Sequence, residues 1–138
     1  MDRHIRKARL VLLVCVVWLS LLVAGCDREP VVIWSARASS PDGLLIATAQ
    51  TYQWAGFGNN YVGTTVELHQ SSDRTAQPNV ILSMTNDSAY PAGTTAVTMR
   101  WTSNNSLDIA YPGGATLDFQ AILALRTDIT SHPYPEAK

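Results

Sequence analysis

Short runs of β-branched and aromatic residues, separated by turn residues, most limit what this 138-residue chain can fold into. Val, Ile, Thr, Trp and Tyr favour extended backbone, whereas Gly, Pro, Asn and Asp interrupt it. Runs of this length and spacing are typical of a β-sandwich or barrel. We therefore predict an all-β, antiparallel, sandwich-like domain of about seven strands, at residues 31–39, 44–52, 62–70, 79–85, 95–102, 107–111 and 117–127.

The last of these runs fits two structures. A helix capped by Thr116 would bring Phe119 and Leu123 onto one face. A strand would align every second residue from Leu117 to Leu125, all of which are apolar. We favour the strand because the alternation has no exception.

Two stretches predict hairpins, and they are related by a weak internal repeat in which 37–47 aligns with 100–110 without a gap. In the first, Pro41 presets φ for a type I turn, and Gly43 accepts the left-handed conformation that a three-residue loop needs. In the second, Asn104-Asn105 offers the same tolerance.

The apolar faces of the second hairpin predict its register. A two-residue loop would set Trp101 against Asp108 and mix the two faces of the sheet. A three-residue loop instead pairs Trp101 with Leu107 or Ile109, and places Arg100 opposite or diagonal to Asp108.

The N-terminal region has a different character. A basic segment containing Arg3, Arg6, Lys7 and Arg9 precedes an apolar run, 10–24, which is followed by Gly25 and Cys26. As a helix, a run of this length would reach roughly 22 Å, short of a hydrocarbon core of about 30 Å. The pattern is that of a signal helix removed during export.

Val23-Ala24-Gly25-Cys26 resembles the lipobox of bacterial lipoproteins. The resemblance implies cleavage between Gly25 and Cys26, acylation of Cys26, and a membrane anchor of two or three acyl chains. We accordingly expect a signal peptide at 1–25, a lipidated Cys and short tether at 26–30, a β domain at 31–128 and a flexible tail at 129–138. A plain secretory signal or a short membrane helix is the alternative.

The same resemblance implies a location in the bacterial cell envelope, facing the periplasm or the exterior. Asp27 directly follows the cysteine and resembles the inner-membrane retention signal of enteric-type lipoproteins. Ser40-Pro41-Asp42-Gly43 before an aliphatic strand also resembles the hairpin of periplasmic propeller repeats, although the predicted domain is too short for a propeller. The whole pattern is similar to small uncharacterised envelope lipoproteins, which implies location and fold alone.

Charge and cysteine content exclude several classes of function. After residue 26 there are six Lys or Arg against ten Asp or Glu, and an acidic domain of this kind is not suited to nucleic acid. Cleavage would leave Cys26 as the one cysteine, so neither a disulfide within the domain nor a cysteine metal site can form.

A segment at 52–63 interleaves aromatic residues with glycine and asparagine. Aromatic side chains supply a large contact area at low entropic cost, so Tyr52, Trp54, Phe57 and Tyr61 form a candidate binding loop. The alternative, which we favour, is that they fold back as a lid on the core.

Few residues in the sequence are candidates for catalysis. His69 follows a strand pattern that faces it outward, and it lies near Glu67 and Asp73 in the chain, whereas His132 falls in the expected tail. We therefore expect no catalytic residue, metal or cofactor, and a non-catalytic binding or assembly module with another envelope protein as partner. The alternatives are a cell-wall-directed hydrolase, which would need His69 beside a carboxylate in a pocket, and an inhibitor or immunity-type lipoprotein.

Overall fold

The computed structural model describes residues 29–56, 59–73, 77–86 and 97–134. Within these ranges the chain is all-β, with nine strands and no helix. The strands are β1 (Val31–Ser39), β2 (Leu45–Gly56), β3 (Asn59–Gln70), β4 (Asn79–Asn86), β5 (Thr98–Ser103), β6 (Ser106–Tyr111), β7 (Thr116–Gln120), β8 (Leu123–Ala124) and β9 (Thr127–Pro133).

The strands form two sheets, as expected for a sandwich-like domain. The first has five strands in the order β1-β2-β3-β4-β7, and the second has four in the order β5-β6-β9-β8. All pairs are antiparallel except β6 with β9, which is parallel. The all-β prediction is confirmed, whereas seven strands and uniformly antiparallel pairing are corrected, for the described ranges, to nine strands and one parallel pair.

The run at 117–127 is strand rather than helix, but it is divided between the two sheets. It contributes β7 to the first sheet and β8 to the second, and a two-residue turn at Leu125-Arg126 leads into β9. Division removes the need for one continuous alternation, so Leu123 and Leu125 lie on the surface instead of in the core.

The expected flexible tail at 129–138 is wrong for residues 129–133, which belong to β9 between β6 and β8. Ile129 is buried in the core. Pro133, which lacks an N–H, lies at the strand end opposite Tyr111, where Tyr134 makes the final hydrogen bond by donating its N–H to the Tyr111 carbonyl, 2.6 Å away. Residues 135–138 lie outside the described ranges.

The core lies between the two sheets. Val66 and Leu68 alternate with outward Glu67 and His69 on β3, as the pattern predicts. An extra residue in β4 lets two consecutive side chains point inward, because Val66 pairs with Leu82 while Glu67 pairs with Val80. The fully buried large side chains are Val66, Leu68, Ile81, Leu82, Met84, Val97, Leu107 and Ile109.

The first predicted turn has the expected chemistry. The Gly43 N–H donates to the Ser40 carbonyl at 2.9 Å, and Gly43 has φ +72°. The Ser40 N–H donates to the Leu45 carbonyl at 2.9 Å, so the loop between them has four residues instead of three. The Asp42 carboxylate accepts the Leu44 N–H at 3.1 Å and the Ser40 hydroxyl at 2.6 Å, and these bonds, the hydroxyl first, lower the pKa of Asp42.

The second hairpin has the predicted register by a different route. Trp101 pairs with Leu107 and Arg100 with Asp108, as expected. However, the turn has two residues, and the register is restored by a bulge between Trp101 and Ser103. Asn104 and Asn105 do not take positive φ, so the predicted left-handed tolerance is not used there.

The two repeat-related hairpins meet across the sandwich. Trp101 donates its indole N–H to the Ala38 carbonyl at 3.2 Å, which links β5 to β1. These two residues occupy equivalent positions in the repeat. The internal repeat therefore corresponds to one hairpin in each sheet.

The signal segment, Gly25 and Cys26 lie outside the described residues. Among the residues that are described, none belongs to a helix long and apolar enough to cross a membrane.

Candidate functional site

The two ends of the five-stranded sheet differ in their relation to the N-terminal segment. β1 begins at Val31, which pairs with Gln53, and β2 continues beyond that point to Gly56. We call this the tether end. The turn at 41–44 and the end of β3 at Gln70 lie at the opposite end, which we call the distal end.

At the tether end, three aromatic side chains form a cluster on the outer face of the sheet. The ring centroids of Tyr52 and Trp54 are 5.8 Å apart, and those of Trp54 and Tyr61 are 5.1 Å apart. Trp54 is 37% exposed and Tyr61 is 42% exposed. We call Tyr52, Trp54 and Tyr61 the aromatic cluster.

Gly63 provides the space for this arrangement. A Cβ at Gly63 would lie 3.2 Å from Tyr61 Cε1 and 3.3 Å from Trp54 Cζ3, so the two rings lie directly against bare backbone. The aromatic residues are on an outer sheet face and are not packed against the core, which differs from the favoured lid. Phe57, the fourth member of the predicted loop, lies outside the described residues.

The tyrosine hydroxyls of the cluster are hydrogen-bonded. Tyr61 donates to the Thr85 hydroxyl at 2.7 Å, which donates to the Asp118 carboxylate at 2.6 Å. Tyr52 donates to the Gln50 side-chain carbonyl. Burial of the phenol, followed by the charge of Glu67, raises the pKa of Tyr52. These bonds fix the positions of the two phenol rings.

At the distal end, a cleft of about 440 Å³ lies among turns from both sheets. Leu44, from the first hairpin, is 64% exposed at this cleft, and Leu125 is partly exposed. We call this the distal cleft. Its lining residues are Asp42, Leu44, Leu45, Gln70, Ser72, Asn104, Asn105, Leu125, Arg126 and Thr127.

Two observations distinguish the distal cleft from an ordinary surface depression. Leu125 and Arg126 have φ +50° and +62°, values that disfavour residues with a Cβ. The Thr127 side chain is fully buried, and its hydroxyl has no hydrogen-bond partner in the part of the chain that the structure describes. Strained backbone and an unpaired buried hydroxyl both carry a free-energy cost.

A second cleft, of about 400 Å³, lies on the outer face of the five-stranded sheet. His69 and Glu67 line it from neighbouring outward positions on β3, and Asp73 and Arg37 also line it. The described residues include no ion pair between His69 and Glu67. This is the concave setting that a hydrolase would need for His69, without a fixed histidine–carboxylate dyad of these two residues.

An ionic cluster on the second sheet was predicted only in part, since the register placed Arg100 beside Asp108 but gave no contact of His132 with the same carboxylate. Arg100 lies 3.9 Å from Asp108, and His132 Nε2 lies 3.2 Å from the same carboxylate. The Pro133 carbonyl, 2.9 Å from Nδ1, and then Asp108 raise the pKa of His132. His132 lies in the segment that we expected to be a tail. Its contact with Asp108 depends on the parallel pairing of β6 with β9, which the sequence pattern did not indicate.

No group of three or more His, Cys, Asp or Glu among the described residues is placed to hold a metal ion. Comparison with known proteins gives no match to a family model, a curated protein or a solved structure. The fold of the described residues is that of a two-sheet all-β domain.

Proposed function

We propose that this chain is a bacterial lipoprotein whose β domain is a non-catalytic binding or assembly module. Cys26, lipidated after cleavage at Gly25, would hold the domain at the membrane surface in the cell envelope, facing the periplasm or the exterior. Asp27 favours the inner membrane. The partner is another envelope protein, and neither a cofactor nor nucleic acid takes part.

The exposed apolar side chains at the distal cleft are the observation that carries the binding proposal. Leu44 is 64% exposed and Leu125 is 37% exposed, and both line the cleft. Covering them with a partner would remove apolar surface from water, which favours association. The cleft is therefore suited to a polypeptide segment that combines an apolar side chain with a backbone polar group.

The location of the cleft agrees with an anchored module. β1 enters the domain at the tether end, so the distal cleft faces away from the point of attachment. A partner approaching from the envelope side would reach it without competing with the membrane. An inhibitor or immunity-type lipoprotein is the same proposal with an incoming basic enzyme as partner, to which the acidic domain is suited.

Mass spectrometry of the N-terminal peptide tests the anchor. We expect a mature chain that begins at acylated Cys26, and Cys26→Ala should prevent acylation. An intact Met1 end, or a chain cut at another position, would contradict the lipoprotein proposal.

A pair of variants tests the binding site. Leu125→Ser removes an exposed apolar side chain that lines the cleft, whereas Leu123→Ser removes one that is also exposed but does not line it. A photocrosslinker at Leu44 should capture an envelope protein in cells. Leu125→Ser should lower this capture, and Leu123→Ser should leave it unchanged. Equal capture by both variants would rule out the distal cleft as the binding site.

A cell-wall-directed hydrolase remains a second candidate because His69, Glu67 and Asp73 line one concave cleft. In such an enzyme His69 would act as the general base or acid, and a carboxylate would orient it. Purified protein would then release soluble fragments from peptidoglycan, and His69→Ala would abolish the release. No release by the wild-type protein would remove this candidate.

A further inference from the structure

We propose that the aromatic cluster is a second membrane contact, which lies in the interfacial layer of the bilayer that holds Cys26. The inference rests on the proposed lipid anchor and assigns a ligand class, a phospholipid surface, to the predicted binding loop. It follows from the position, the charge and the orientation of the cluster.

The position follows from the short tether. Cys26 precedes Val31 by five residues, which at full extension span at most about 18 Å. Val31 pairs with Gln53, the immediate neighbour of Trp54. Acylation of Cys26 therefore requires the tether end of the sheet to lie within that distance of the bilayer.

The β2–β3 hairpin extends over much of the distance that the tether can span. β2 continues from Gln53 to Gly56, beyond the start of β1, and three residues of strand add about 10 Å. The remaining reach of the tether is then similar to the headgroup layer, roughly 5–8 Å deep in each leaflet. The hairpin therefore projects beyond Val31, the residue at which the tether joins the sheet.

The chemistry of this end suits the interface of a bilayer. The segments 31–36 and 52–63 contain no Asp, Glu, Lys or Arg, and the charged residues of the tether are Asp27, Arg28 and Glu29. Val31 and Val32 are exposed beside the cluster. Contact with lipid would bury apolar surface without desolvating a charge, and would not depend on attraction to anionic headgroups.

The orientation of the rings is that of residues at a membrane interface. Tyr52 donates to Gln50, two residues farther from the hairpin tip. Tyr61 donates to Thr85, which pairs with Gly63, again two residues farther from the tip. Both hydroxyls, and the nearby Asp118 carboxylate, therefore lie on the side away from the tip. Tyr and Trp with one apolar and one hydrated end are enriched at this depth in membranes.

Fluorescence quenching tests the contact on the lipidated protein. The protein is reconstituted in phosphatidylcholine vesicles with and without brominated acyl chains, and Trp54→Phe is compared with Trp101→Phe. Trp101 is the matched control because its bond to Ala38 places it near the distal end. We expect brominated lipid to quench the wild-type protein and Trp101→Phe at low and high salt alike, and the loss of most quenching in Trp54→Phe.

The outcomes separate this inference from the proposed anchor. In one outcome Cys26 is acylated and the protein binds vesicles, but brominated lipid quenches the wild-type protein and Trp54→Phe equally. That outcome would overturn the membrane contact and leave the anchor intact. That result together with weaker crosslinking of Trp54→Phe to an envelope protein would identify the cluster as a protein-docking surface instead. An unacylated Cys26 would overturn both proposals.

Discussion

The turn at Leu125-Arg126 gives the most direct test of the distal cleft, through the variant Arg126→Gly. Arg126 has φ +62° and is exposed, and the described part of the chain contains no ion pair for it. A left-handed conformation costs a residue with a Cβ about 1–2 kcal/mol. Glycine removes that cost, but its freedom in the unfolded chain costs about 0.5–1 kcal/mol.

The expected result is a net stabilisation of roughly 0.5–1 kcal/mol, from the difference between these two effects. Since 1 kcal/mol moves the Tm of a domain of this size by roughly 4–8 °C, the Tm should rise by a few degrees. Thermal and urea unfolding followed by tryptophan fluorescence measure the change. The same variant should weaken crosslinking at the distal cleft because it removes a lining side chain.

Gly43→Ala is the reciprocal control. Gly43 has φ +72°, and a Cβ there would meet nothing within 4 Å, so the substitution adds conformational strain without a clash. The Tm should fall by a similar amount, since the Cβ makes the left-handed conformation unfavourable. A lower Tm for Arg126→Gly, or no fall for Gly43→Ala, would refute the assignment of left-handed strain to these turns.

The buried hydroxyls of Thr51 and Thr64 are hydrogen-bonded at 2.8 Å, so Thr64→Val should cost about 1–3 kcal/mol in urea unfolding, and the double variant with Thr51→Val should cost less than the sum. Because the pKa of His132 is raised in the folded state, the contribution of this histidine to stability is full below pH 6.5 and is lost as the pH rises through the raised value. The difference in Tm between the wild-type protein and His132→Gln should therefore shrink over that pH range. A constant difference would contradict the contact of His132 with Asp108. The pKa of Asp42 is lowered in the folded state, so the contribution of this carboxylate to stability is present above pH 3.8 and is lost as the pH falls through the lowered value. Asp42→Asn should therefore reduce the Tm at neutral pH and have the same Tm as the wild-type protein in acid.

Alternation of apolar and polar residues predicts the strands well where one face meets the core. The register of β5 with β6 follows from this rule because a slip would bury Asp108 and expose Leu107. The same rule fails at β9, whose inward positions include Thr127 and Ser131. Because polar residues occupy core positions of β9, apolar alternation does not identify this strand.

The distal cleft could not be predicted from the sequence for a related reason. It joins turns that are far apart in the chain, and one of them, at Leu125-Arg126, contains none of the residues that usually accept left-handed backbone. By contrast, the aromatic and glycine content of residues 52–63 predicted the aromatic cluster. The position of the cluster beside the start of β1 depends on the pairing of β1 with β2, which the composition does not indicate.

The parallel pairing of β6 with β9 has a consequence for folding. β9 is the latest strand in the described chain, yet it lies inside its sheet between β6 and β8. The second sheet therefore cannot be completed until residues up to 133 are available to pair. Closing the loop from β6 to β9 requires a contact between distant segments, which is slow to form. The order of strands thus makes closure of the core a late step in folding.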